Sequence, residues 1–253
     1  MPIAIRAQHH ALLQKRAFEA YITELIEYGE DTQPGGFLDR LSEERLREIL
    51  KTVCAKSEAS FGFDQRGPIH GYLDLVWVYG WDFESDPQYQ WVIQTKKANE
   101  ALTQVEQADI LFDEMQDYEE AVNGDEFQYR NAFIKNFQVL NVSALPVREA
   151  TFVPDMLCVL HDLYPQKYER ANEQALAQLI TEERSKAAGI FGFHKPHHQG
   201  LIVILAFLLG HEFHRNPFLD WPKPADCRQP GFDVDEAACK VETFARDWFI
   251  ADC

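Results

Sequence analysis

The sequence predicts an all-α protein in which two homologous helical modules follow each other in tandem, joined by an acidic helical connector. Three observations support this. Apolar residues recur at helical spacing through most of the chain, one 51-residue segment matches another at an offset of 130 residues, and no repeated β-α-β pattern or hairpin dipeptide between alternating runs occurs. We therefore expect modules at residues 1–95 and 146–253, with the connector at 96–145.

The internal repeat relates the segment Leu41–Trp91 to the segment Ala171–Trp221 without a gap. The two segments share 11 residues, whereas ordinary amino-acid usage would give about three. Most shared residues are aromatic, Gly or Pro in a fixed order: FGF at 61–63 and 191–193, then Gly80/Gly210, Phe83/Phe213, Pro87/Pro217 and Trp91/Trp221. Because these are packing and turn residues, the repeat predicts a duplicated structural unit, with both tryptophans in the core.

Each module is expected to contain an amphipathic helix, a stop and a very apolar helix. In both copies a capping residue, Ser42 or Asn172, is followed by Glu, which predicts a helix start. The glycine of each FGF predicts the helix end. Apolar helices are then predicted at about 68–80 and 198–210. Before the first copy, leucine, isoleucine and aromatic residues at helical spacing predict a helix over 8–29, which "TQPGG" ends.

The stretch between the copies is the most acidic part of the chain. Residues 98–129 contain ten Asp or Glu and no Lys or Arg. Leu102, Val105, Phe112 and Met115 recur at helical spacing, so we predict one amphipathic helix with an acidic outer face. Further helices are predicted at about 126–141 and 233–249.

Composition limits the classes of function. The 253 residues are 46% hydrophobic, so we expect a folded protein. The net charge of −17 excludes a bare nucleic-acid binder, because affinity for phosphates comes from Lys and Arg. The longest apolar run is nine residues, the N-terminal residues do not resemble a secretory signal, and five dispersed cysteines predict free thiols. We therefore expect a cytoplasmic protein that does not enter a membrane.

The first module resembles a helical protein family encoded beside type VI secretion effectors and their spike components. The resemblance covers about residues 3–92: an N-terminal segment Ile5–Leu25, the pair Phe61-Gly62, an apolar helix and the closing "GWDFESDPQYQW". Trp81 stands where the family has Pro, and this chain carries two modules where the family usually has one. The resemblance implies an immunity protein or an adaptor, and it supplies no catalytic residues.

Two binding functions remain open at this stage. The first is an immunity protein that neutralises a toxin with a basic surface, and the alternative is an adaptor that loads an effector onto the secretion spike. In either case we expect binding without catalysis and without a cofactor. The first candidate surface is the acidic face, and the second is a groove between the copies. Exposed aromatic residues, such as Tyr118, Tyr89 or Trp81, are expected to act as anchors. The predicted partner-binding residues are Glu106, Asp109, Asp113, Asp117, Glu120 and Tyr118.

A zinc-dependent hydrolase is a more remote alternative. It would use His211 and His214 as ligands, with a third from "FHKPHH" at 193–198 and Glu212 as the base. However, "HEFH" places its two histidines three residues apart, not four as in H-E-x-x-H. The first copy has Trp81 and Glu84 at the equivalent positions. We therefore predict no metal site.

Overall fold

A computed structural model of the chain describes residues 7–32, 38–219 and 233–251. The α-helices in these ranges are α1 Ala7–Thr32, α2 Glu43–Phe61, α3 Arg66–Tyr79, α4 Gln90–Ala98, α5 Gln104–Asn123, α6 Gln128–Val139, α7 Phe152–Leu163, α8 Pro165–Arg170, α9 Glu173–Lys186, α10 Pro196–Leu209 and α11 Val234–Ala251. Short 3-10 turns connect several of them, and no β-strand occurs in the described ranges. This confirms the all-α prediction. No helix in those ranges is long and apolar enough to cross a membrane.

The chain divides into two compact units, Met1–Asp64 and Gln65–Cys253, so the boundary falls inside the predicted first module. The first unit contains α1 and α2. These two helices pack through apolar residues at helical spacing, among them Ile22 and Leu25 on α1 and Leu50 and Val53 on α2. The α2 guanidinium of Arg47 also donates a hydrogen bond to Thr23 on α1 (3.1 Å).

The second unit is built around α10. Every residue from His198 to Phe207 on this helix is buried, because α7, α9 and α11 contact it from different sides. A helix that is apolar around its whole circumference is stable only when it is enclosed in this way. The prediction of a buried apolar helix at 198–210 is therefore confirmed.

Helix starts and stops agree with the local sequence signals. The Ser42 hydroxyl accepts a hydrogen bond from the backbone of α2 and the Asn172 side chain accepts one from α9, as the capping prediction required. Gly62 and Gly192 end their helices with φ of 74° and 75°, a left-handed conformation that favours glycine. The second copy adds a π-helical turn, Ala187–Phe191, before its glycine.

Several element boundaries recur at the offset of the sequence repeat. Pairs of elements or residues 130 positions apart are the starts of α2 and α9, the capping glycines 62 and 192, the helices α3 and α10, the glycines 80 and 210, the 3-10 turns 83–85 and 213–215, and the starts of α5 and α11. Sequence identity had extended the repeat only to Trp91. The structural offset continues to the start of α5.

The C-terminal ends of α3 and α10 meet through equivalent glycines. Gly80 and Gly210 both have positive φ, and a Cβ added at either would collide with the backbone before the other: at Gly80 it would lie 2.5 Å from the carbonyl oxygen of Leu209, and at Gly210 it would meet the carbonyl oxygen of Tyr79. This reciprocal contact requires glycine on both sides. It also leaves no room there for the groove expected between the copies.

The amphipathic helix predicted in the acidic stretch is α5, and the separate helix predicted at about 126–141 is α6. The acidic stretch also contains the end of α4 and a break at 99–103, which were not predicted. Thr103 and Glu106 form a capping box that starts α5. The T-x-x-E pattern in "TQVE" is the local sequence signal for this start.

The cysteines in the described ranges have free thiols. Cys54 is buried, and burial raises the pKa of its thiol to about 11, whereas Cys158 and Cys239 are exposed. The remaining two, Cys227 and Cys253, lie outside the described residues. The prediction of free thiols is therefore confirmed for the three.

Candidate functional site

The predicted acidic face is present on α5 and is exposed. Asp109, Asp113, Asp117 and Glu120 all lie on the solvent side of the helix. None of the four forms an ion pair with a described residue, and α5 contains no Lys or Arg that could neutralise them. The helix therefore presents a row of uncompensated carboxylates on a rigid backbone, which favours the approach of a cationic partner.

Glu106 is also exposed, but its carboxylate has a structural role. One of its oxygens accepts hydrogen bonds from the Thr103 backbone N–H (2.9 Å) and hydroxyl (2.8 Å). These bonds hold the pKa of Glu106 below its usual range. Of the predicted acidic residues, Glu106 is the one whose side chain is already engaged in holding its own helix.

Tyr118 was wrongly predicted as an exposed anchor. Its side chain is only 4% exposed, and Tyr89, which was expected to be exposed as well, is buried too. Both pack with Tyr79 and with each other, and Trp91 packs with Tyr79 and Tyr118, with ring centroids 4.5–5.9 Å apart. Trp91 is half-buried in this cluster, and Trp221 lies outside the described residues. Trp81, the third expected anchor, is half-buried against Phe218.

The inner face of α5 explains this error. The residues that face inward are Leu111, Met115, Tyr118 and Val122, at i, i+4, i+7 and i+11. Of the four residues predicted to be buried, only Met115 is, and Leu102, Val105 and Phe112 are exposed. Counting Tyr as apolar would have favoured the correct stripe, because the phenol ring carries more apolar area than its hydroxyl costs.

A buried polar cluster lies beside the tyrosines. The Lys167 ammonium donates a hydrogen bond to the Tyr89 hydroxyl (2.9 Å) and lies 5.3 Å from the centre of the Phe207 ring on α10. Burial lowers the pKa of Lys167 to about 8, although the nearby carboxylates of Asp86 and Glu119 oppose this. Burial in turn raises the pKa of both carboxyl groups.

The histidine region is arranged for hydrogen bonding within the fold. His211 Nε2 lies 2.9 Å from the Ser85 hydroxyl and 3.1 Å from the carbonyl oxygen of Asp82. A carbonyl oxygen can only accept, so Nε2 carries the proton and donates to both. In this tautomer the His211 Nε2–H is a hydrogen-bond donor to the Ser85 hydroxyl.

Glu212 and His214 of "HEFH" belong to an ion-pair cluster. Glu212 accepts from Lys186 (2.8 Å) and faces His214 (3.4 Å), and Lys186 also pairs with the buried Glu183 (2.7 Å). His198 instead faces Asp235 on α11 (3.6 Å). No group of three or more His, Cys, Asp or Glu that could hold a metal ion exists within the described ranges.

An open groove runs between α3 and α5, with a volume of about 430 Å³. Gly67 and Gly71 on α3 form part of its lining, and a Cβ added at either glycine would meet nothing within 4 Å. From α5, Val105 (45% exposed) and Phe112 (41% exposed) line it. Polar lining comes from Gln65, Arg66, Asp74 and Asp109. Exposed apolar side chains in a concave, acidic setting are typical of a binding surface.

The groove brings one predicted residue, Asp109, together with residues that the sequence analysis missed. The available signal was the pair of glycines four positions apart in "GPIHG", because two glycines on one face of an otherwise apolar helix indicate a close approach. The prediction of an apolar helix over about 68–80 did not take this pair of glycines into account. The exposure of Val105 and Phe112 depends on tertiary packing, and helical periodicity alone does not show it.

Comparisons with protein-family models, with curated proteins and with solved structures gave no match.

Proposed function

We propose that this chain is a non-enzymatic binding protein that neutralises a protein toxin through the acidic face of α5, defined by Asp109, Asp113, Asp117 and Glu120. The observation that carries the proposal is that these four carboxylates are exposed on one rigid helix without an ion-pair partner in the described ranges. A surface of this kind attracts a basic partner, accelerates association and can cover a cleft that binds phosphate or nucleotides.

The resemblance to the type VI family supports an immunity role in the cytoplasm. An immunity protein has to meet its toxin before the toxin reaches a substrate, so a high association rate is an advantage that electrostatic steering provides. The hydrogen bonding of His211 supports binding in preference to catalysis at this site, because its Nε2 acts as a donor.

We also propose that the molecule is a duplicated helical module and that α5 belongs to the first module. The support is the common offset of 130 residues, which joins α3 to α10 and the start of α5 to the start of α11. Under this proposal α5 is the counterpart of α11 and not part of a connector, and the acidic face is a modification of one module.

The test compares two triple charge reversals. In the first variant Asp109, Asp113 and Asp117 become Lys, and in the matched control Glu27, Glu30 and Asp31 on α1 become Lys, which changes the net charge equally. The tagged protein is co-expressed with each toxin gene of its genomic neighbourhood. We measure growth, the retained proteins and their affinities over a salt series.

Growth rescue by the wild type and the α1 control, but not by the α5 variant, would support the proposal. Affinity should also fall as salt increases, because exposed charges are screened. Equal rescue by both variants, or an affinity independent of salt, would contradict it. A complex with an effector's delivery region and the spike, without growth rescue, would show an adaptor instead.

A further inference from the structure

We infer that the groove between α3 and α5 receives a basic amphipathic helix of the partner protein. This inference rests on the proposed function and specifies the contact surface and the partner's chemistry. It depends on three features of the groove: its apolar lining, its acidic side, and its absence from the equivalent face of α10.

The lining favours a partner with an apolar stripe. Val105 and Phe112 are two turns apart on α5 and keep 45% and 41% of their surface exposed. Opposite them, Gly67 and Gly71 offer backbone with open space where a side chain would project. Small residues let a second helix approach closely, and covering Val105 and Phe112 removes apolar area from water.

The charges favour a cationic stripe beside the apolar one. Asp74 on α3 and Asp109 on α5 line the groove, and Asp113 lies one turn further along α5. Arg66 is the one basic residue of the lining, and both Arg66 and Asp74 already make interactions within the fold, so the carboxylates offered to a partner are those of α5. Lys or Arg side chains of a bound helix would therefore meet carboxylates along α5 while its apolar residues face Val105 and Phe112.

A helix suits this surface better than an extended strand. A partner strand binds by adding to a sheet edge through main-chain hydrogen bonds, and the described residues contain no β-strand. Both walls of the groove are helices whose backbone groups are already paired internally. The available recognition mode is therefore a helix in a groove, with anchors at i, i+3 or i+4, and i+7.

The second copy fills the equivalent positions itself. His197, Leu201 and Ile204 stand 130 residues after Gly67, Gly71 and Asp74, and both Leu201 and Ile204 are fully buried. The same helix face is thus closed by side chains in one copy and open in the other. Replacing Gly71 by Leu would give the open copy the residue of the closed one.

The test uses a fluorescent synthetic peptide of about 18 residues, made of Leu and Lys placed to form an amphipathic helix about 27 Å long. A second peptide has the same composition, permuted so that no apolar stripe forms. Binding is measured by fluorescence anisotropy to the full chain, to Gly71→Leu, and to Ala121→Leu. Ala121 is exposed on α5 outside the groove, so its variant is the control for an added leucine. Thermal unfolding verifies that both variants fold.

We expect the helical peptide to bind more tightly than the permuted one, and Gly71→Leu to weaken only the helical peptide, by about tenfold. Ala121→Leu should bind as the wild type does. If both peptides bind equally and Gly71→Leu changes neither, the groove inference fails while the acidic face stands. If neither peptide binds at low salt, the acidic face itself is contradicted as a docking surface. If Gly71→Leu alone fails to fold, Phe112→Ser replaces it, with the same expected loss.

Discussion

Helices α3 and α10 occupy equivalent places in the repeat and are used in opposite ways. Both have 14 residues, and both are followed by a glycine of positive φ. However, α10 is buried around its whole circumference, whereas α3 leaves Gly67 and Gly71 open to a groove. The difference teaches that two helices at corresponding positions of a sequence repeat can be enclosed or left open, because a few side chains decide whether the face is filled.

The largest expected effect on stability comes from the glycine that follows each of the two helices. Gly80→Ala or Gly210→Ala should lower the free energy of unfolding by about 4 kcal/mol, because alanine would have to adopt the positive φ of the glycine and its Cβ would collide with the backbone opposite. Denaturant unfolding measures this. Gly67→Ala is the matched control, and it should leave stability equal or slightly higher, since nothing lies within 4 Å of its Cβ. A loss under 1 kcal/mol at both glycines would mean that the two ends do not approach so closely.

The second prediction tests the difference between the helices at one equivalent position. Leu201→Ala should cost about 3 kcal/mol, because Leu201 is 0% exposed and its removal leaves a cavity. Gly71→Ala on α3 should instead raise stability by up to about 1 kcal/mol, because alanine favours the helix and has open space there. Thermal and denaturant unfolding of the two single variants give both values. Stability changes of opposite sign would support the difference between the enclosed α10 and the open face of α3. Equal losses of stability would show that both helices are packed alike.

The third prediction concerns the polar cluster that contacts the packed helix. The folded-state pKa of Lys167 is lowered from 10.5 to about 8, so between these values the unfolded chain binds more protons. The free energy of unfolding that comes from Lys167 should therefore rise with pH through this window, by about 1.4 kcal/mol per pH unit at most. Below pH 8 both states are protonated and the contribution does not change.

Lys167→Met should remove this rise. Unfolding curves at pH 8, 9 and 10 for the wild type, for Lys167→Met and for the exposed-lysine control Lys135→Met isolate the effect. The free energy of unfolding of the wild type minus that of Lys167→Met should increase with pH. The same difference for Lys135→Met should remain constant. A constant difference for both variants would mean that Lys167 is not buried against Phe207 as described.

Local signals in the sequence were sufficient for the helices and their ends. Ser42, Asn172, Gly62 and Gly192 act where the pattern placed them, because capping needs only a short polar side chain or a residue that tolerates positive φ. The exposed carboxylates from Asp109 to Glu120 were also predictable, since ionised side chains remain in water unless they are paired.

The sidedness of α5 could not be read as reliably. Phe112 and Tyr118 are both aromatic and both fit a helical stripe, yet Tyr118 is buried and Phe112 is exposed. The choice depends on which face meets α3 and α8, and periodicity within α5 does not contain that information. The orientation of α5 that buries the most apolar area against its neighbours is favoured, and Val105 and Phe112, which this orientation leaves exposed, line the groove.

By itself, then, the sequence determined the helices, their caps, the repeat and the acidic surface, because each of these depends on residues close together in the chain or on charge alone. The tertiary structure decided that Gly80 meets Gly210, that Tyr118 is enclosed and that Gly71 is open. These outcomes depend on which distant helices come into contact, and packing against a distant neighbour is a property of the whole fold that no local pattern specifies.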